Sequence, residues 1–139
     1  MVDQNERNRL LAEEFRKNGG KVAEEKFKDA NLLLLTTTGR KSGKTYVTPM
    51  QYLPDGERLI VFASHQGAPE NPDWFKNLAA AGVATVEAGA ESFEVRVEVL
   101  TGEERDELYR RQVAKSPTFG EYERRTTRVI PVVALHRTS

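Results

Sequence analysis

The sequence predicts a mostly β fold with flanking helices: about six antiparallel strands forming a small barrel. Three observations carry that expectation. Short apolar or alternating runs recur at 31–38, 45–53, 58–63, 83–87, 93–100 and 129–135. Brief turn sequences separate several of them, as in hairpins. Helical periodicity falls at the N-terminus, between the third and fourth strands and before the last, without the strand–helix alternation of a doubly wound sheet.

Residues 5–18 carry a narrow stripe of Leu10, Leu11 and Phe15 among Arg7, Arg9, Glu13, Glu14, Arg16 and Lys17. This predicts an amphipathic N-terminal helix, stopped by Gly19-Gly20. Residues 21–30 are polar and read as loop or short helix. The run 31–38 passes from leucines to threonines and ends at Gly39, as a buried strand does. Residues 45–53 predict a second strand, in which Pro49 requires an edge, a bulge or an interrupted ladder. Pro54-Asp55-Gly56 is a turn that would pair this strand with 58–63. Asn71-Pro72 predicts an N-cap followed by proline at the first helical position. Trp74, Phe75, Leu78 and Ala79 then repeat at helical spacing, and Gly82 ends the helix. Runs 83–87 and 93–100 alternate around Gly89, as a hairpin with one wet face does. Thr101 is placed to cap a helix through about residue 115, with Leu108, Tyr109 and Val113 inward. Residues 117–127 are polar and read as a helical turn carrying Phe119 and Tyr122. The last strand, 129–135, has Pro131 inside it.

The 139 residues fit one domain, 1–139, with an N-terminal helix in 1–20. Cysteine is absent, which excludes disulfides, thiolate metal sites and cysteine nucleophiles and suits a reducing compartment. The two histidines, His65 and His136, lie far apart, so no metal site is expected. Lys plus Arg equals Asp plus Glu at 21 each, which argues against general nucleic-acid binding. The longest apolar runs are too short to span a bilayer, and no basic-then-apolar leader is present. A cytoplasmic protein without stable membrane insertion is expected.

Three segments could carry chemistry. Gly39-Arg40-Lys41-Ser42-Gly43-Lys44 places three cations and a hydroxyl between two glycines. It is either a turn that holds phosphate or carboxylate or a basic surface hairpin. It is not a P-loop: three residues rather than four separate its glycines, and a strand pattern follows where a helix is needed. The stretch from Ala63-Ser64-His65 through Gly67-Ala68 to Asn71-Pro72 joins a strand to a helix through small residues. Such a loop can lay backbone N–H groups against a planar ligand, or it can simply connect. Trp74 and Asn77 share a helix face, and Trp74 is core or ligand contact. His65 is a proton donor near neutral pH or an ordinary loop histidine. In the third segment, Ser116, Phe119 and Tyr122 are spaced to share a face and line a pocket, or the two aromatics only pack.

Leu33-Leu34-Leu35-Thr36-Thr37-Thr38-Gly39-Arg40-Lys41-Ser42-Gly43, with Pro49, resembles the opening signature of the deazaflavin-dependent nitroreductase family. Ala63-Ser64, Gly67-Ala68, Asn71-Pro72-Asp73-Trp74-Phe75 and Asn77-Leu78 resemble its second signature, and Thr127-Arg128-Val129-Ile130-Pro131-Val132-Val133 its closing strand. The likeness runs in order from about residue 19 to 137.

The resemblance implies a split β-barrel of the FMN-binding-like kind and a deazaflavin, coenzyme F-420 (8-hydroxy-5-deazaflavin). It implies that Arg40, Lys41, Ser42, Gly43 and Lys44 hold the cofactor's phosphate and acidic tail, and that Pro49 and Met50 lie against its rings. Ser64, Gly67 and Ala68 would face the hydride-carrying edge, and Asn71, Trp74 and Asn77 would shape the groove. Ser116, Phe119 and Tyr122 would wall the acceptor site. The sequence departs from the pattern at Tyr46, where many members have arginine, and at Ser116 and Phe119, where members carry tyrosines. The implied reaction is hydride transfer to a small-molecule acceptor, a quinone, enone or nitro compound. Ser64 and nearby N–H groups would stabilise the oxyanion, and Tyr122, then His65, would supply a proton. The alternatives are an FMN- or haem-utilising enzyme of the same barrel class and a non-catalytic deazaflavin carrier.

Overall fold

The computed structural model describes residues 4–23 and 31–138. The loop-or-short-helix reading of 24–30 lies outside the described residues. In chain order the elements are α1 (Gln4–Lys17), β1 (Leu32–Thr38), β2 (Thr45–Gln51), β3 (Leu53–Asp55), β4 (Arg58–Phe62), α2 (Asp73–Ala81), β5 (Val83–Ala88), β6 (Glu91–Leu100), α3 (Gly102–Lys115), α4 (Thr118–Arg125) and β7 (Val132–Arg137). A single left-handed turn, His65–Gly67, stands between β4 and α2.

The strands form one antiparallel sheet in the order β2-β1-β5-β6-β7-β4-β3, curled into a half-barrel. There are seven strands among the described residues, not six, because 45–53 is divided at Tyr52. β2 pairs with β1, and β3 pairs with β4. The hairpin at Pro54-Asp55-Gly56 is therefore β3–β4, not a pairing of the whole second strand with the third. Pro49 sits on β2, an edge strand, opposite Leu34, where a missing N–H is tolerated. The last strand starts after Pro131, whose carbonyl still accepts the N–H of Ala63 at 3.0 Å.

Alternation along β1 assigns its two faces. Leu33 and Leu35 turn inward onto Leu78 of α2 and Val61, Val86, Val95, Val133 and Leu135 of the other strands. Leu32 and Leu34 turn outward under α1, against Ala12 and Phe15. Leu10, expected in that stripe, is 46% exposed; Ala12 takes the inward place. Arg16 ties α1 to β5 by two 2.8 Å bonds to Glu87. A second core joins β3, β4 and β7 to Leu108, Tyr109 and Phe119 of α3 and α4. No helix of the described residues is long and apolar enough to cross a membrane.

Candidate active site

The open side of the half-barrel holds a cavity of about 830 Å3, within the range of cofactor pockets. Two turns, strands β1 and β2 and helices α1, α2 and α4 contribute to its lining.

The first turn joins β1 to β2. Gly39 N–H donates to Lys44 O at 2.7 Å and Gly43 N–H to Gly39 O at 2.9 Å. Gly43 has φ +72°, and a Cβ on Gly39 would lie 2.6 Å from Ser42 Oγ, so both glycines are needed for a turn this tight. Ser42 Oγ accepts from the Lys44 N–H at 3.2 Å and lies 3.4 Å from the Tyr46 hydroxyl. Asn77 Oδ1 on α2 accepts from Arg40 N–H at 3.1 Å and Nη1 at 2.7 Å, which anchors the turn and aims the guanidinium. Asp73 lies 3.7 Å from the same guanidinium. The side chains of Lys41 and Lys44 are exposed and make no ion pair among the described residues. Their charge is thus available to an anion.

The second turn runs from Ser64 to Ala68. His65 (φ 48°) and Gln66 (φ 54°) are left-handed without being glycine. Gly67 (φ +79°) must lack a side chain, because a Cβ would come within 2.7 Å of Tyr122 O and Arg125 Cβ on α4. Ser64 is buried, His65 and Gln66 are exposed, and all three line the cavity. His65 Nδ1 lies 3.0 Å from Glu70 O.

The aromatic wall comes from α4. Phe119 and Tyr122 meet edge-on at 5.3 Å and both line the cavity, as i and i+3 of one helix can. The Tyr109 hydroxyl fixes that helix by donating to Phe119 O at 2.7 Å. Its pKa is pushed up to about 12, first by burial and then by the charge of Glu123. Opposite, Pro49 and Met50 of β2 and Trp74 of α2 supply an apolar floor. Trp74 is both core and cavity, half-buried against the β1 interior.

Of the residues expected at the site, Arg40, Lys41, Ser42, Pro49, Met50, Ser64, His65, Trp74, Asn77, Phe119 and Tyr122 line this one cavity. Gly43 and Lys44 stand on the outer flank of the first turn. Gly67 faces α4. Ala68 and Asn71 are turned to Arg128, which takes the Ala68 carbonyl at 2.8 Å and Asn71 Oδ1 at 2.7 Å. Asn71 consequently does not cap α2; Pro72 holds the N-cap position with no side-chain cap bond. Ser116 ends α3, and Pro117 separates it from α4, so it shares no helical face with Phe119. Sequence reasoning missed Asn8 of α1, Thr37, Thr48 and Gln51 in the lining. The signal for Thr37 and Thr48 was their place facing the same interior as the leucines of β1 and as Met50. Asn8, brought in by the docking of α1, had none.

A curled antiparallel sheet with a cationic turn and an aromatic wall on one cofactor-sized cavity is the arrangement of a split-barrel cofactor-binding protein. The model of the F420H(2)-dependent quinone reductase family matches residues 7–137, and the chain belongs to that family. The F420H(2)-dependent quinone reductase Rv1261c of Mycobacterium tuberculosis is 32% identical over 108 residues, 76% of this chain and 72% of that protein. Rv3178 of the same organism, provisionally given the same activity by its name, is 38% identical over 103 residues, 74% of this chain and 87% of that one. A solved F420-H2 dependent reductase, FDR-A, is 32% identical with a TM-score of 0.69, covering 76% of this chain and 94% of its own. The protein is therefore an oxidoreductase that uses the reduced deazaflavin coenzyme F-420.

The cavity fits that group. Lys41, without an ion-pair partner among the described residues, lines one part of it and Lys44 stands just outside, as an anionic phosphate and tail require. Thr37 Oγ1, buried in the lining, has no hydrogen-bond partner among the described residues.

Proposed function

We propose that the enzyme reduces quinones and planar conjugated enones, with nitro compounds as poorer acceptors. The observation that carries this reading is the polarity of the cavity: cations at one end, and at the other an aromatic wall in which Phe119 can only pack and Tyr122 alone offers a hydroxyl. Arg40, Lys41, Ser42, Gly43 and Lys44 would hold the phosphate and acidic tail. Pro49, Met50 and Trp74 would flank the rings, and Asn77 would fix Arg40 for its contact.

The bound deazaflavin supplies a hydride. The protein's part is alignment, worth on the order of 7–11 kcal/mol when reactants are well oriented, and charge stabilisation. Hydride addition to a quinone leaves the electron pair on one carbonyl oxygen. The Ser64 hydroxyl and the unbonded N–H groups of the second turn would receive that oxygen. Tyr122 would then donate a proton, completing the hydroquinone, with His65 the next candidate along the same wall. Phe119, in place of a hydroxyl-bearing residue, disfavours acceptors that need polar anchoring.

The test is titration of the ligand-free protein with the deazaflavin and, separately, with FMN, followed by fluorescence quenching. The deazaflavin should bind far more tightly, because the first turn would read both phosphate and tail. Equal affinity for the two would remove the reading. Steady-state rates on one quinone, one enone and one nitroimidazole then rank the acceptors; a faster nitroimidazole would overturn the acceptor assignment.

A further inference from the structure

Arg128 stands behind the second turn, outside the cavity lining, with every guanidinium nitrogen engaged. Nε donates to Ala68 O at 2.8 Å, Nη1 to Ala63 O at 3.2 Å and to Asn71 Oδ1 at 2.7 Å, and Nη2 to Ser64 O at 2.7 Å. All four acceptors are neutral and lie on one stretch of chain. No carboxylate pairs with Arg128 among the described residues. Burial pulls its pKa below the usual arginine value, and the group still stays charged at physiological pH. The guanidinium is part-buried and its charge is met only by neutral oxygens, all of them on the stretch that it holds.

The stretch it holds is strained. His65 and Gln66 are consecutive non-glycine residues with left-handed φ, a conformation that persists only where surrounding contacts over-determine it. Its geometry has a chemical consequence. Ser64 is right-handed (φ −70°, ψ −36°) and His65 left-handed (φ 48°), the alternation that turns consecutive N–H groups into one anion-receiving concavity. The N–H groups of His65 and Gln66 have no acceptor among the described residues, whereas those of Gly67 and Ala68 bond back to Ser64 O and His65 O at 2.9 Å.

We propose that Arg128 is a positioning residue for the reaction: it clamps the left-handed turn so that the His65 and Gln66 N–H groups face a ligand carbonyl oxygen bearing negative charge. This rests on the quinone-reductase reading above, since that oxygen belongs either to the deazaflavin ring or to the acceptor. The unneutralised guanidinium, bonded to the carbonyls of the same peptide stretch, polarises the turn in the sense that favours an anion.

The experiment uses the full chain with Arg128→Ala and Arg128→Lys. Deazaflavin affinity is measured by fluorescence quenching, quinone turnover at saturating cofactor, and the His65 and Gln66 amide resonances by NMR in the ligand-free protein. Arg128→Ala should lose about tenfold or more in one arm, as removal of charge-assisted bonds implies. A loss in affinity assigns the oxygen to the cofactor; a loss in kcat alone assigns it to the acceptor. Ethylguanidinium should restore part of the loss. Arg128→Lys keeps the charge but not the planar fork, so it should recover little. Parent-like affinity and turnover in either folded variant, even with a lowered melting temperature, would reduce Arg128 to a structural strut and overturn the proposal. Should Arg128→Ala not fold, Arg128→Lys alone decides by the same criterion. If the parent itself fails to bind the deazaflavin, the functional reading falls. Unchanged amide resonances in the variants would then separately refute the clamp.

Discussion

The two turns on the cavity solve the same problem by opposite means. The β1–β2 turn makes its bend from glycine: Gly43 adopts φ +72° with nothing within 4 Å of where a Cβ would stand, and the backbone bonds that close the bend lie within six residues, with Asn77 the one outside anchor, through Arg40, among the described residues. The turn after β4 makes its bend from His65 and Gln66, and what holds it comes from afar. Arg128 reaches back 57–65 residues, and α4 packs on Gly67. The first turn is cheap, open and cationic, suited to grip a flexible anionic tail. The second is strained and braced, suited to fix one atom. On the proposed assignment, geometric precision at the reacting end would come from tertiary contacts, and affinity at the other end mainly from local chain chemistry.

The comparison breaks most sharply at glycine. Gly67→Ala places a methyl group 2.7 Å from Tyr122 O and from Arg125 Cβ at a positive φ, and neither backbone nor helix can yield. It should destabilise the protein by about 2–4 kcal/mol. Gly43→Ala meets open space and pays only for its dihedral, about 1 kcal/mol. Urea unfolding of both variants measures the contrast; equal losses would mean that the second turn is not braced by α4.

Alkaline pH probes the same brace. Tyr109 holds α4 through its hydroxyl bond to Phe119 O, and its pKa is raised from 10.0 to about 12 in the folded chain. The unfolded chain therefore loses this proton first. The stabilisation is complete below about pH 10 and is lost as pH climbs toward 12, by about 2–3 kcal/mol. Tyr109→Phe should flatten that decline while lowering stability at neutral pH, because Phe119 O loses its buried donor. Urea midpoints between pH 9 and pH 12 report both effects.

How much of this was legible in the sequence follows the same division. The first turn could be read because glycine, cation and hydroxyl stand next to one another. The handedness at His65 and Gln66 could not, since it runs against residue type and is imposed by Arg128. Strands were legible where an unbroken apolar or alternating run ended close to a glycine, as in β1, β5 and β6. The division of 45–53 was not, because Tyr52 marks a change of partner from β1 to β4. Ser116 was misplaced by counting threes through Pro117, where α4 has yet to begin.

Charge sharpens the comparison from the other side. Arg40→Ala and Lys41→Ala should each weaken deazaflavin binding by about 1–2 kcal/mol at low salt and by less at high salt, since these groups act on an anion near solvent. Arg128 variants should show little salt dependence, because their contacts are part-buried and made to neutral carbonyls. Affinity titrations at two ionic strengths separate the classes. Parent-like binding by both first-turn variants would reduce that turn to a surface hairpin.

The smallest expected effect lies at Thr37, one strand residue before the first turn begins to form. Thr37 is 3% exposed, and its Oγ1 is buried with no hydrogen-bond partner among the described residues. It sits in line with Leu33 and Leu35 on the inner face of β1, so a branched apolar side chain suits its surroundings. Valine has the same shape and removes the unmatched hydroxyl. Where a buried polar group has no partner, replacing it with an apolar isostere relieves its desolvation penalty. Thr37→Val should therefore raise the stability of the ligand-free protein by about 1 kcal/mol, seen as a higher urea midpoint with an unchanged slope. The first turn should not notice, since none of its hydrogen bonds involves Thr37, and Gly43→Ala should cost the same in either background. A loss of stability in Thr37→Val would show that the hydroxyl is satisfied after all and would overturn this prediction.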